Sequence, residues 1–184
     1  MEEQGEKGTD IVYNTDKSIE QGDEHIIPSL SDIREGAPSA NEAIENMSPV
    51  YKGGFIRQRN DYQLNQDAVD NIRTFIEEGY SFVSVFADWC GDARRAIPVL
   101  ALLEKEIGRS IPSLCGMKKP PYGSDKLWEV PPSPVEVEIF EVTSSPTILI
   151  FNKEGEEVGR IKTKAKMTRT IEQEIVKIIK DSRA

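Results

Sequence analysis

An almost wholly apolar segment that runs directly into a cysteine, and then into an amphipathic helix, constrains this chain most. Residues 80–87 read Y-S-F-V-S-V-F-A, a β-branched and aromatic run typical of a central strand covered on both faces. D-W-C-G follows at 88–91 without a spacer, and apolar residues then recur at helical spacing until Gly108 (Ala93, Ala96, Ile97, Leu100, Leu103 and Ile107). Cys90 is therefore predicted between a buried strand and a helix, where ligands meet the protein in open α/β sheets.

The rest of the chain continues this alternation of helices and strands. The patterns predict a helix over 66–78, a strand around 111–115, a loop over 116–134, a short helix within 135–142, strands over 147–151 and 156–162, and a last helix from about residue 168. The first half thus forms a βαβ unit and the second half a hairpin followed by a helix. This order predicts an α/β protein with a small central sheet.

The acidic residues are concentrated near the N-terminus. Residues 1–50 hold twelve acidic and three basic side chains and carry the whole net charge of −9, whereas residues 51–184 hold twenty of each sign. Residues 1–27 have few large apolar groups, so they cannot bury enough surface to offset the entropy of ordering. We therefore predict an acidic, largely disordered arm and connector over 1–50, and one domain over 51–184. Apolar residues of the connector leave a short docking element open as an alternative (Ile27, Leu30, Ile33, Ala40, Ala43 and Ile44).

Composition excludes several functional classes. No apolar run approaches the length of a membrane span, and the acidic N-terminus does not have the character of a secretory signal. The balanced charge beyond residue 50 argues against nucleic acid as the main ligand. Two cysteines at this spacing and one histidine, His25, fit neither a zinc site nor a multi-histidine metal site. We therefore expect no cofactor, metal, nucleic acid or membrane partner and a cytoplasmic location, with a thiol as the first candidate for chemistry.

The predicted place of Cys90 favours a reactive thiol. Backbone amides at the start of a helix stabilise a thiolate, which is one way in which proteins make a cysteine nucleophilic near neutral pH. Arg94 and Arg95 in the following turn act in the same direction, whereas Asp88 and Asp92 oppose them. The alternative is a buried cysteine that acts as a small apolar side chain.

Two segments of the chain resemble the thioredoxin family. F-A-D-W-C-G-D-A at 86–93, followed by Pro98, is similar to the active-site segment of that family. S-S-P-T-I-L-I-F at 144–151, followed by a turn with Gly155, is similar to the segment around its cis-proline. The resemblance covers about residues 62–182. It implies a thioredoxin-like fold with a central mixed β-sheet flanked by helices, and the acidic arm precedes it.

The resemblance also implies roles for individual residues. Cys90 corresponds to the catalytic nucleophile of the family. Trp89 and Gly91 flank it, and Ser145 and Pro146 correspond to the segment that packs against the thiol and docks the substrate backbone. The Ser145–Pro146 peptide bond is accordingly expected to be cis.

Three departures from the family pattern affect the expected chemistry. The family has Cys-x-x-Cys, but Ala93 stands at the second cysteine, so the thiol that normally releases a mixed disulfide is absent. Ser84 stands where typical thioredoxins bury an aspartate that assists proton transfer. Thr163 stands where a glycine usually lines the docking surface.

Cys115 is a possible resolving thiol. It ends the predicted strand that lies parallel beside the strand before Cys90, so both thiols belong to the same end of the sheet. The alternative is a small side chain buried in a core strand, and bridging requires Cα atoms within about 7 Å.

The sequence supports two functions. The first is thioredoxin-like thiol–disulfide exchange through a single nucleophilic cysteine, with protein or low-molecular-weight thiols and disulfides as substrates. The alternative is a redox-inactive module that binds proteins through the surface around Trp89 and Pro146. A peroxidase-like use of the thiol ranks lower, because the segment before Cys90 does not have the peroxiredoxin arrangement.

Overall fold

The structure, a computed structural model, describes residues 26–184 of the chain. A 3-10 turn at Leu30–Asp32 precedes the regular elements. These are α1 (Ala40–Asn46), α2 (Pro49–Asp61), α3 (Gln66–Glu77), β1 (Ser81–Phe86), α4 (Gly91–Ile107), β2 (Ser113–Cys115), α5 (Glu136–Ile139), β3 (Thr147–Phe151), β4 (Glu157–Lys162) and α6 (Ile171–Ser182).

The strands form one mixed sheet in the order β2-β1-β3-β4. β1 runs parallel to β2, with Phe86 opposite Cys115, and antiparallel to β3. β3 and β4 form the predicted antiparallel hairpin. Since β1 and β2 are parallel, their carboxyl ends meet at one edge of the sheet. The predicted fold class, a mixed central sheet flanked by helices, is confirmed.

The sheet separates two hydrophobic clusters because side chains alternate between the faces of a strand. Phe82 and Phe86 of β1 point into a cluster with α1 to α4 and α6. Val83 and Val85 point into a second cluster with α5 and the segment after β2. Cys90 is packed against both clusters. The residue that follows the central strand is therefore positioned by both layers of the protein.

Side-chain caps set the limits of two predicted helices. The Asn65 side chain accepts a hydrogen bond from the Ala68 amide at 2.9 Å, so α3 starts where the sequence predicts. The last helix starts at Ile171, because the Thr170 hydroxyl accepts a hydrogen bond from the Gln173 amide at 3.2 Å. The predicted start near residue 168 is therefore about one turn early.

The segment before residue 50 differs from the expected loose connector. Ala40 and Ile44 of α1 are fully buried in the larger hydrophobic cluster. The Asn41 side chain donates to the Ala101 carbonyl of α4 at 2.8 Å. The Ser113 amide of β2 donates to the Pro38 carbonyl at 2.8 Å. These residues therefore form the docking element that the sequence left open as an alternative. The small apolar side chains of α1 let it lie directly on α4. Of the arm predicted to be disordered, residues 1–25 lie outside the described part.

The helix α2 has no counterpart among the predicted elements. Its residues are mostly polar or charged, and Phe55 is its one buried side chain. A helix without an apolar stripe gives no periodic signal in the sequence. Within residues 26–184, no helix is both long and apolar enough to cross a membrane.

Candidate active site around Cys90

Cys90 occupies the N-cap position of α4. Its backbone is extended, with φ −85° and ψ 124°, and the helix begins at the next residue. Its side chain is half-buried, and the Sγ donates a hydrogen bond to the Ser145 carbonyl at 3.3 Å. The first amides of a helix have no acceptor within the helix. The thiol therefore stands beside hydrogen-bond donors that favour a negative charge.

Ser145 joins the two segments that the sequence predicts around the thiol. Its nearly buried hydroxyl accepts a hydrogen bond from the Ala87 amide at 2.9 Å, just after β1. Its carbonyl accepts the hydrogen bond from Cys90. The Ser145–Pro146 peptide bond is cis, and Pro146 is buried. The start of β3 is thus fixed against the end of β1 and the start of α4.

Trp89 forms the part of this site that is more exposed than Ser145 and Pro146. Its side chain is 41% exposed, and its indole Nε1 donates to the Met117 carbonyl at 3.1 Å. The Lys119 ammonium lies 5.5 Å from the centre of the indole ring, within cation–π range. Trp89 and Gly91 are therefore open to solvent, whereas Ser145 and Pro146 lie beneath them.

The contacts from Met117 and Lys119 were absent from the sequence analysis. A backbone carbonyl has no residue-type signal, so the Met117 contact follows only from the course of the loop after β2. Trp128, which lies in the same loop, is buried and donates from its Nε1 to the Val142 carbonyl at 2.8 Å. This anchor fixes the loop that reaches Trp89.

Ala93 fills the position of the second thiol. It is fully buried and is the third residue of α4. The Cys90 side chain makes no capping hydrogen bond to α4 and donates to the Ser145 carbonyl instead. A methyl group at Ala93 stands where the family pattern has the second thiol.

Cys115 has different surroundings from Cys90. Burial raises the pKa of its thiol to about 11, and the negative charge of Asp88 acts in the same direction. Hydrogen bonds from the backbone of Gly116 and Asp88 oppose this but are outweighed. Both cysteines are free thiols. A groove of about 500 Å³ runs between the Cys115 end of β2 and the segment that carries Pro38 and Met47.

Neutral hydroxyl groups occupy the interior beneath the site. Ser84 is fully buried, and its hydroxyl donates to the Ser113 hydroxyl at 2.7 Å. Ser113 donates in turn to the Ile111 carbonyl at 3.1 Å. A pair of hydroxyls on β1 and β2 therefore replaces the carboxylate that the family resemblance places at Ser84.

Thr163 has a strained backbone. Its φ is +67°, in the left-handed region that a β-branched residue rarely adopts. Its amide donates to the Pro146 carbonyl at 2.8 Å, which holds it beside the thiol segment. The glycine that the family has at this position would adopt the same backbone without strain.

A search for metal-binding clusters is negative for the described part of the chain. In residues 26–184, no three His, Cys, Asp or Glu side chains come together in a way that could hold a metal ion.

Comparisons with known proteins agree on one family. The sequence model of the family described as Thioredoxin matches residues 37–113. Thioredoxin from Chlamydia caviae is 30% identical over 109 residues, which cover 58% of this chain and 93% of the relative. Thioredoxin from Chlamydia muridarum is 34% identical over 91 residues, which cover 50% of this chain and 76% of the relative.

Solved structures show the same fold over most of the described residues. A protein of unknown function from Pseudomonas aeruginosa has a TM-score of 0.62 at 12% identity, covering 85% of this chain and 99% of its own. An HIV epitope-scaffold protein has a TM-score of 0.58 at 12% identity, covering 84% and 99%. On the Chlamydia relatives, one of them covered over nearly its whole length, the chain belongs to the thioredoxin family.

Proposed function

We propose that this protein carries out thiol–disulfide exchange through Cys90 alone. The observation that carries the proposal is the position of Cys90. It caps α4 beside free backbone amides, lies 3.3 Å from the Ser145 carbonyl, and is flanked by the exposed Trp89. Protein disulfides and low-molecular-weight disulfides are the proposed substrates. A cytoplasmic location stays a prediction.

The first half of the reaction forms a mixed disulfide. Cys90 loses its proton to solvent, and its thiolate attacks one sulfur of a disulfide R–S–S–R. A Cys90–S–S–R bond forms, the original S–S bond breaks, and R–S⁻ leaves with the electron pair. The Cys90–Ser145 hydrogen bond requires the S–H proton, so it is lost in this step.

The second half requires a thiol from outside the chain. A second thiolate R′–S⁻ attacks the R sulfur of the adduct, which forms R–S–S–R′ and returns Cys90 as a thiolate. Ala93 has no sulfur to perform this attack. The pKa of Cys115, at about 11, leaves only about one thiolate in a thousand at pH 8. Over the two steps, R–S–S–R and one external thiolate R′–S⁻ give R–S–S–R′ and one R–S⁻, and Cys90 returns unchanged.

Intact mass spectrometry tests the proposal on three forms of the protein. Wild type, Cys90→Ser and Cys115→Ser are each exposed to bis(2-hydroxyethyl) disulfide between pH 6 and pH 9. We expect one adduct on wild type and on Cys115→Ser, none on Cys90→Ser, and release only after a small thiol is added. Absence of an adduct on wild type at every pH would overturn the proposal.

A binding module is the second candidate. The exposed Trp89 ring and the missing second thiol at Ala93 favour it. On this alternative, a bound partner protein is retained equally by wild type and Cys90→Ser and is released by Trp89→Ala. On the exchange proposal, Cys90→Ser abolishes covalent capture of a disulfide-containing protein.

A further inference from the structure

A second cavity is lined by residues that adjoin the Cys90 site, among them Asp92 and Thr163. It has a volume of about 290 Å³ and lies between α2, the first two turns of α4 and the loop that joins β4 to α6. This is close to the lower end of the size range of small-molecule sites. Asp92 and Arg95 line it from α4, and Thr163, Lys164 and Arg169 line it from the loop.

Short paths of contacts connect this cavity with the thiol. On one side, Asp92 is two residues from Cys90 in the first turn of α4. On the other side, the Thr163 amide donates to the Pro146 carbonyl at 2.8 Å. Pro146 follows Ser145, whose carbonyl accepts the hydrogen bond from Cys90. The wall of the cavity is therefore linked to the thiol through Thr163, Pro146 and Ser145 on one side and through the first turn of α4 on the other.

The cavity carries an excess of positive charge. Arg95, Lys164 and Arg169 contribute three positive charges, and Asp92 contributes one negative charge. The Oδ1 of Asp92 lies 3.3 Å from the Nη1 of Arg95, so these two side chains form an ion pair. Over residues 26–184, no carboxylate lies within ion-pair distance of Lys164 or Arg169.

The nearby carboxylate of Glu172 has hydrogen-bond donors within the protein. The buried Glu172 accepts hydrogen bonds from the Tyr62 hydroxyl at 3.0 Å and from the Asn65 amide at 2.9 Å. Burial and the Glu172 charge raise the pKa of Tyr62, so its hydroxyl stays neutral at the wall of the cavity.

A buried carboxylate holds the basic loop in place. Glu174 accepts hydrogen bonds from the Met167 amide at 3.0 Å, the Thr168 amide at 2.9 Å and the Thr168 hydroxyl at 2.8 Å. Burial acts to raise the pKa of Glu174, but these hydrogen bonds outweigh it and hold the pKa below its ordinary value. The loop that carries Lys164 and Arg169 is therefore anchored to α6 at neutral pH.

From these contacts we propose that the cavity binds the carboxylate group of a small anionic disulfide, one sulfur of which reacts at Cys90. This inference rests on the proposed exchange function and names its substrate class. Lys164 and Arg169 bind the carboxylate, while Cys90 forms the S–S bond with the sulfur and the departing thiolate carries away the electron pair. A local excess of positive charge raises the local concentration of an anionic reactant and its rate of association.

The test compares two disulfides of similar chemistry and different charge. Glutathione disulfide carries carboxylates, whereas bis(2-hydroxyethyl) disulfide is neutral. The double variant Lys164→Gln/Arg169→Gln removes the two cations of the cavity that are not paired with Asp92. The matched control Lys105→Gln/Arg109→Gln removes one exposed lysine in the last turn of α4 and one exposed arginine just after it, about 20–25 Å from Cys90 along the helix.

We expect the cavity variant to react with glutathione disulfide about tenfold more slowly than wild type at low ionic strength. Its reaction with the neutral disulfide should be unchanged, and the control variant should match wild type with both reagents. The difference should shrink at 0.5 M salt because exposed charges are then screened.

Several outcomes would overturn the inference. Equal rates for the cavity variant and wild type with glutathione disulfide would do so, and so would an equal fall with both disulfides, which indicates a structural defect. A faster reaction of the variant with glutathione disulfide would show that Lys164 and Arg169 hinder the anionic reactant instead of binding it. Failure of wild type with the neutral disulfide would instead refute the proposed exchange function.

Discussion

Cys90 and Cys115 lie at the carboxyl ends of neighbouring parallel strands, at the same edge of the sheet, but their surroundings differ. Cys90 stands at the start of a helix, whereas Cys115 is largely buried beside a negative charge. Cys90 is the N-cap of α4 and lies between the exposed Trp89 and the buried Ser145. Cys115 is the last residue of β2, and burial together with the nearby Asp88 charge raises its pKa to about 11. The shared topology places both residues at one edge of the sheet, whereas the helix start beside Cys90 and the burial of Cys115 favour Cys90 as the thiol of the proposed exchange.

The largest expected effect comes from restoring a second thiol beside Cys90. Ala93→Cys places a sulfur on the third residue of α4, where the family pattern has its second cysteine. We expect the adduct at Cys90 to be released without added thiol, faster than in wild type by about a thousandfold or more, because the attack becomes intramolecular. Intact mass against time measures the release.

Ala93→Ser serves as the control for that variant, because it has the same shape without a nucleophilic sulfur. If Ala93→Ser releases the adduct as fast as Ala93→Cys, the absence of a thiol at position 93 is not what limits release. If wild type already releases its adduct rapidly and Cys115→Ser does not, Cys115 is a resolving thiol and the contrast between the two cysteines fails.

The second prediction concerns the reactivity of Cys115 alone. In Cys90→Ser, we expect iodoacetamide to modify Cys115 at pH 8 about two hundredfold more slowly than a free thiol of ordinary pKa. The rate should rise about tenfold for each pH unit up to pH 10, because the thiolate fraction grows until the pKa near 11 is reached. Modification at the rate of free N-acetylcysteine would contradict the burial of this thiol.

The third prediction concerns how the raised pKa of Cys115 makes the unfolding free energy depend on pH. The unfolded thiol loses its proton near pH 9 and the folded thiol near pH 11, so the folded state loses stability as pH rises through that window. Relative to Cys115→Ala, wild type should lose about 2–3 kcal/mol of unfolding free energy between pH 8 and pH 11. Urea unfolding at both pH values measures this difference, and parallel pH profiles for the two proteins would contradict it.

The smallest expected effect comes from relieving the backbone strain at Thr163, which contacts the segment that carries Pro146. Thr163→Gly relieves a left-handed backbone at φ +67°, so we expect the unfolding free energy to rise by about 0.5–1 kcal/mol. Thr74→Gly in α3 is the control, and it should lower stability by a few tenths of a kcal/mol through helix propensity. Loss of stability in Thr163→Gly would show that the threonine side chain, not the backbone, stabilises this loop.

Strong periodic patterns allowed most of the fold to be predicted. The apolar runs of β1 and β3 and the apolar faces of α3, α4 and α6 are long enough to identify each element. α2 was missed because its single buried residue, Phe55, forms no stripe. The docking of α1 was underestimated because Ala40 and Ala43 are small and contribute little to a hydrophobic pattern.

The site could be predicted where local motifs define it. The sequence brings Trp89, Cys90, Ser145 and Pro146 into one site, and the structure places them together. The cationic cavity could not be predicted in this way, because Lys164 and Arg169 meet Arg95 only through the packing of the loop onto α4. The burial of Cys115 likewise depends on neighbours that are distant in sequence.

The segment before α2 also determines how this protein behaves when it is shortened. Pro38 and Ser39 pair with β2 along its outer side, and α1 covers the apolar face of α4. An uncovered edge strand offers unpaired backbone groups to other chains. A fragment that begins at residue 51 therefore exposes an edge and an apolar face at once, and it is expected to aggregate.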